Sequence, residues 1–94
     1  MRLQQLIDRQ LNLHGKTALL RTVFRGDYPD GTVVRVRIVP ETDPLFDYRV
    51  NDAPWRYAGS GYDLKRKLRA LGLPVMRGRW SIEGSDHERP IPPP

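Results

Sequence analysis

Ninety-four residues give room for one domain with a single modest core, and a content of 38% hydrophobic and 29% charged residues describes a globular rather than a disordered chain. The chain has no cysteine, which excludes a disulfide framework and thiolate metal ligation, and no apolar run approaches the roughly 20 residues that span a bilayer. The formal net charge is +5, and thirteen of the sixteen basic residues are arginines, a bias that either a GC-rich genome or a need for bidentate phosphate contacts produces.

The N-terminal MRLQQLIDRQ has polar residues inside its apolar pattern, which a signal peptide does not, so the chain reads as cytoplasmic with no membrane partner. Residues 2–13 form the first expected helix, with Leu3, Leu6, Ile7 and Leu11 spaced to line one face. Gly15 stands where a left-handed cap ends such a helix. Thr17–Arg25 then reads as a strand of imperfect alternation, since Leu19 and Val23 share a side with Arg21 and Arg25; that side is expected to be partly covered. Tyr28-Pro29-Asp30-Gly31 has the composition of a β-turn. It makes an antiparallel hairpin with the strand Thr32–Val39, where Val34, Val36 and Ile38 alternate with Arg35 and Arg37.

Phe46, Tyr48 and Val50 alternate with Asp47 and Arg49 in a third strand over Leu45–Val50, and Trp55-Arg56-Tyr57 resumes the pattern as a short fourth. Asp47 stands where cross-strand pairs with the arginines form. Ser60 opens the clearest helix: Asp63 completes a capping box, Leu64, Leu68 and Leu71 make the stripe, Gly72 caps the end and Pro74 stops it. Val75–Glu83 alternates again, with Met76, Trp80 and Ile82 on one side, Arg77, Arg79 and Ser81 on the other, and Gly78 leaving a gap for a tryptophan ring to fill. The remainder, SDHERPIPPP, has no periodicity and is expected to be disordered.

The expected architecture is α+β: one domain over residues 1–84 and a Pro-rich tail over 85–94. An antiparallel β-meander of four to five strands carries two helices packed on one face, and the last strand adds at an edge or beside the first. The expected core takes Leu3, Leu6, Ile7 and Leu11 from the first helix and Leu64, Leu68 and Leu71 from the second. The strands add their apolar alternates, with Leu20, Trp55, Met76 and Trp80.

No catalytic, cofactor-binding or metal-ligating residue emerges. His14 and His87 have no metal spacing, and there is no nucleophile elbow or Walker loop. The carboxylates Asp27, Asp30, Asp43 and Asp47 belong to turns and strand edges. Gly59-Ser60-Gly61 precedes a helix, but Asp63 supplies the negative charge that a phosphate would bring there. Basic residues are the remaining signal. Residues 1–60 carry nine basic and seven acidic side chains, a net of +2, whereas 61–84 carry six and two, a net of +4.

The candidate phosphate-contacting residues are Arg35, Arg37, Arg49, Lys65, Lys67, Arg69, Arg77 and Arg79. Tyr48, Trp55, Tyr57 and Trp80 fall on the expected core side, so contact with the nucleic-acid backbone is favoured over base stacking. The order helix, three or four antiparallel strands, helix resembles that of double-stranded RNA-binding domains, and the alternating arginines resemble basic-sheet DNA readers. The former family's small-residue pattern in its second helix is absent and the strand at Val75–Glu83 is additional, so neither resemblance assigns a family. The functional expectation is a small non-catalytic basic protein that binds nucleic-acid phosphates. The alternatives are a protein-interaction module for an acidic partner, such as a phage or mobile-element adaptor or inhibitor, and a merely solvated arginine surface.

Overall fold

The computed structural model describes residues 2–39 and 45–85. The elements are α1 (Leu3–Leu20), β1 (Thr22–Asp27), β2 (Val33–Val39), β3 (Leu45–Val50), β4 (Arg56–Gly59), α2 (Gly61–Ala70), a 3₁₀ turn (Val75–Arg77) and β5 (Arg79–Ser85). The strands make one antiparallel sheet in the order β4-β3-β2-β1-β5, an α+β fold with the last strand beside the first. Ser85, the first residue of the expected tail, ends β5, and the rest of the tail, 86–94, lies outside the described residues, as do Asp43 and His87.

Strand alternation divides the sheet. Phe24, Val34, Val36, Ile38, Phe46, Tyr48 and Trp80 are buried in one cluster with Leu3, Leu6 and Ile7 of α1 and Leu64 and Leu68 of α2. The opposite face carries the arginines. Gly31 at φ +90° closes the β1–β2 turn, where its N–H donates to the Tyr28 carbonyl at 3.0 Å.

The first helix is longer than its apolar spacing suggested. Gly15 does interrupt it, at φ +83° and ψ 175°, a conformation open essentially to glycine alone. Yet helical structure resumes from Lys16 to Leu20, so Thr17–Leu20 is not strand and β1 begins at Thr22. A buried polar pair holds this corner: Gln10 Nε2 donates to Thr22 Oγ1 at 3.1 Å, and the Thr22 hydroxyl donates to the Ala18 carbonyl at 2.8 Å. Gln10, seven residues from Leu3, takes the buried place expected for Leu11, which is half exposed.

The end of α2 corrects a second core position. Gly72, at φ +76°, donates its N–H to the Arg69 carbonyl at 3.0 Å, and Leu73 N–H donates to the Leu68 carbonyl at 2.8 Å. This pair of bonds is a Schellman motif, whose reversal returns the residue after the glycine to the helix face. Leu73 is therefore in the core, while Leu71 is 55% exposed.

The chain then crosses to the far edge of the sheet. Pro74 opens the 3₁₀ turn, so Val75–Arg77 is not strand; Met76 points outward, 80% exposed, instead of joining the core. Trp80 does join it. Its ring lies so close over Gly26 that a Cβ there would stand 2.9 Å from ring carbons, and its indole N–H donates to the Val75 carbonyl at 2.8 Å. Trp80 also closes on Gly78, together with Tyr28, which meets it edge to face at 6.4 Å. Tyr28 is itself buried, and its hydroxyl donates to the Leu73 carbonyl at 3.0 Å. Burial pushes the Tyr28 phenol up to about 12.

Candidate nucleic-acid interface

The candidate basic residues fall on two sides of the sheet. Arg35, Arg37 and Arg49 share the open face, because Arg35 stands opposite Arg49 and Arg37 opposite Asp47 in the β2–β3 register. Arg79 reaches the same face at the sheet edge, opposite Asp27 on β1. Lys65, Lys67 and Arg69 ride on α2, whose leucines are buried against the other face. Arg77 and Arg79 do not share a side through strand alternation, because Arg77 belongs to the 3₁₀ turn and Arg79 begins β5.

On the open face carboxylates answer the arginines. Arg25 bridges Asp27 at 3.1 Å and Glu83 at 3.5 Å; Arg35 Nε donates to Glu83 at 2.7 Å; Arg37 Nε donates to Asp47 at 3.1 Å. The bond to Glu83 holds the Arg35 pKa above its ordinary value. A bulge in β5 between the partners of Val23 and Phe24 accommodates Glu83 as the extra residue. Such partly exposed pairs stabilise by only ~0–1 kcal/mol each, so their main effect is to orient the guanidinium groups.

Two aromatic residues join this face, contrary to their expected place in the core. Trp55 precedes β4 and is not bound by its alternation; the Arg37 guanidinium lies 4.2 Å from its ring centroid and that of Arg49 lies 5.8 Å away. Tyr57 stands opposite Asp47 and is more than half exposed. Val23 is buried on this side and lines a pocket of about 270 Å³ with Arg35, Arg37, Arg49, Asp52, Trp55 and Glu83. The coverage expected from Leu19 and Val23 is thus real for Val23, while Leu19 belongs to the main core.

The α2 side has a different charge balance. Lys65, Arg66 and Arg69 lie on its solvent-facing surface with Tyr62, which is 75% exposed. Lys67 lies on the flank towards β4, where its ammonium donates to the Tyr57 carbonyl at 3.3 Å. The single carboxylate of the helix, Asp63, is committed to its N-terminus. Its Oδ2 accepts from the Ser60 backbone N–H at 3.1 Å and from the Ser60 hydroxyl at 3.0 Å, while Asp63 N–H donates to Ser60 Oγ at 3.2 Å. Those bonds lower the Asp63 pKa, and they occupy the anion-attracting end of the helix. A weak contact of Asp63 with Arg66 at 3.4 Å remains.

Beside this surface, a groove of about 450 Å³ runs between α1 and α2, lined by Leu3, Ile7, Phe46, Leu64 and Met76 among others, with Arg2 and Lys65 also in its wall. Among the described residues, no helix is long and apolar enough to cross a membrane. Comparison with family models, curated proteins and solved structures finds no match.

Proposed function

We propose that the protein is a small non-catalytic binding protein that contacts nucleic-acid phosphates through the outer surface of α2 and the adjoining 3₁₀ turn. The observation that carries this reading is the uneven pairing of charge. α2 and the turn bear Lys65, Arg66, Lys67, Arg69 and Arg77 against Asp63 alone, a net of +4. The arginines of β1 and β2 on the open face bond carboxylates instead. A phosphate arriving at Lys65 and Arg69 meets cations that hold no internal partner among the described residues, while Lys67 has only the Tyr57 carbonyl and Arg66 only the weak Asp63 contact to give up, so counterion release is gained at little cost. Lys65 and Arg69 are four residues apart on one stripe, the spacing that lets both reach one backbone.

The test is a binding titration against random-sequence duplex and single-stranded oligonucleotides at low and moderate salt. Lys65→Gln with Arg69→Gln is expected to weaken binding of all sequences alike and to reduce the slope of log affinity against log salt by about 2. Absence of measurable affinity at low salt refutes the reading. The apolar groove with Arg2 and Lys65 in its wall supports the second reading, an acidic protein segment as partner. That reading takes precedence if oligonucleotides fail to bind.

A further inference from the structure

We infer that the pocket on the open sheet face, formed by Arg35, Arg37, Arg49 and Trp55, is a binding site for a single phosphate group. It is independent of the α2 reading, because the two surfaces lie on opposite faces of the sheet. Three guanidinium-bearing side chains line this one small space. Two of them use Nε for an internal carboxylate, Arg35 for Glu83 and Arg37 for Asp47. A guanidinium is a fork of five donors, so each retains terminal N–H groups after that bond. Arg35 shows the surplus directly: its Nη1 makes a long bond, at 3.5 Å, to the Asn51 carbonyl.

Arg49 differs from both. It has no carboxylate bond among the described residues, and its Nε is closed off from solvent without an acceptor. Its headgroup is held beside the Trp55 ring instead. An Nε closed off from solvent is closed to an anion as well, so the donors that Arg49 offers to a ligand are its terminal nitrogens, and an anion beside them offsets the cost of the partly buried cation. With Asp47, which bonds Arg37, the three arginines face three carboxylates, so what the pocket offers a ligand is surplus N–H donors and not net charge.

Size and shape select the ligand. At about 270 Å³ the pocket falls below the roughly 300–1,000 Å³ of sites for drug-sized molecules, so it takes a compact group rather than a whole cofactor. A carboxylate offers two oxygens in one plane, whereas forks arriving from three side chains on two strands approach from several directions. A tetrahedral phosphate, with three or more acceptor oxygens, answers that arrangement. Trp55 and the exposed Tyr57 next to the pocket suit a phosphate at the end of a nucleic-acid strand, whose terminal base has a flat face to rest on them.

The experiment titrates the full-length wild-type chain with sodium phosphate at constant ionic strength while the arginine Nε–H resonances are followed. Sodium acetate serves as a parallel titrant, and one short single-stranded oligonucleotide is added in 5′-phosphorylated and 5′-hydroxyl forms. Saturable shifts of Arg35 and Arg49 with phosphate, exceeding those with acetate, are the expected result. Arg49→Gln should weaken phosphate affinity by about tenfold or more. Lys65→Gln with Arg69→Gln should leave that affinity unchanged. Preference for the phosphorylated strand assigns the group to a nucleic-acid end, and saturation by phosphate with equal binding of the two strands assigns it to a free phosphate. Equal response to acetate, or no saturable shift in the wild type, overturns the site. The wild-type titration decides the matter even if Arg49→Gln fails to fold.

Discussion

Three leucines near the end of α2 allow the helix terminus to be tested by stability alone. Leu68 is fully buried, Leu73 is 7% exposed and Leu71 is 55% exposed, although helical spacing from Leu64 marks Leu71 and not Leu73 as a core residue. Truncating Leu68 to alanine leaves a cavity among Leu64, Leu73 and the sheet, for which losses of ~2–5 kcal/mol are usual; the upper half applies because no flank of Leu68 opens to solvent. Leu73→Ala should cost slightly less, about 2–4 kcal/mol, since Leu73 is 7% exposed and its Schellman bond is made by the backbone N–H, which alanine keeps. Leu71→Ala should cost under about 1 kcal/mol, because a leucine gains ~1.5–3 kcal/mol only when fully buried and about half of this one stays wet. Equilibrium urea unfolding, read by tryptophan fluorescence at unchanged m-value, ranks the three variants. If Leu71→Ala proves as costly as Leu73→Ala, the helix runs on past Ala70 and the reversal at Gly72 is wrong.

Other perturbations probe the remaining packing and charge devices. Gly26→Ala places a Cβ 2.9 Å from a Trp80 ring whose indole N–H is already bonded, so a loss of about 1–3 kcal/mol and a changed near-ultraviolet circular dichroism band are expected; an unperturbed variant means the ring is free to move. Asp63 has a folded pKa lowered by its Ser60 bonds, so it contributes stability above its ordinary value of 3.8 that is lost as pH falls towards the folded value. Ser60→Ala should cost ~0.5–2 kcal/mol at neutral pH and flatten that acid dependence in thermal melts. Tyr28 has the opposite sign: its pKa is raised from 10.0 to about 12, so stability present below pH 10 declines as pH rises towards 12. Tyr28→Phe should remove that alkaline decline and cost about 1 kcal/mol at neutral pH through the unpaired Leu73 carbonyl, which denaturant midpoints at several pH values will measure.

Local chemistry in this chain was legible from the residues in order. The hairpin at Tyr28–Gly31, the strand Leu45–Val50, the Ser60–Asp63 capping box and the glycine stop at Gly72 rest on backbone geometry that a few neighbouring residues dictate. The same holds for the face that Val34, Val36 and Ile38 bury, since strand alternation is a property of the backbone itself. What spacing left undecided was the meeting of segments distant in sequence. Gln10 is a polar residue on a helix until Thr22 comes within hydrogen-bonding distance, and only then does it displace Leu11 from the buried stripe.

The basic residues divide in the same way. Alternation placed Arg35, Arg37 and Arg49 on one side of the sheet, and the excess charge of residues 61–84 was countable. It could not say that Glu83, carried by a bulge, would meet Arg35 from forty-eight positions away, or that Trp55 would leave the core for the Arg37 guanidinium. Those outcomes depend on strand order and register, which set which side chains share a few ångströms of space. Charge is therefore written residue by residue, whereas its pairing is settled only when β5 comes to lie beside β1.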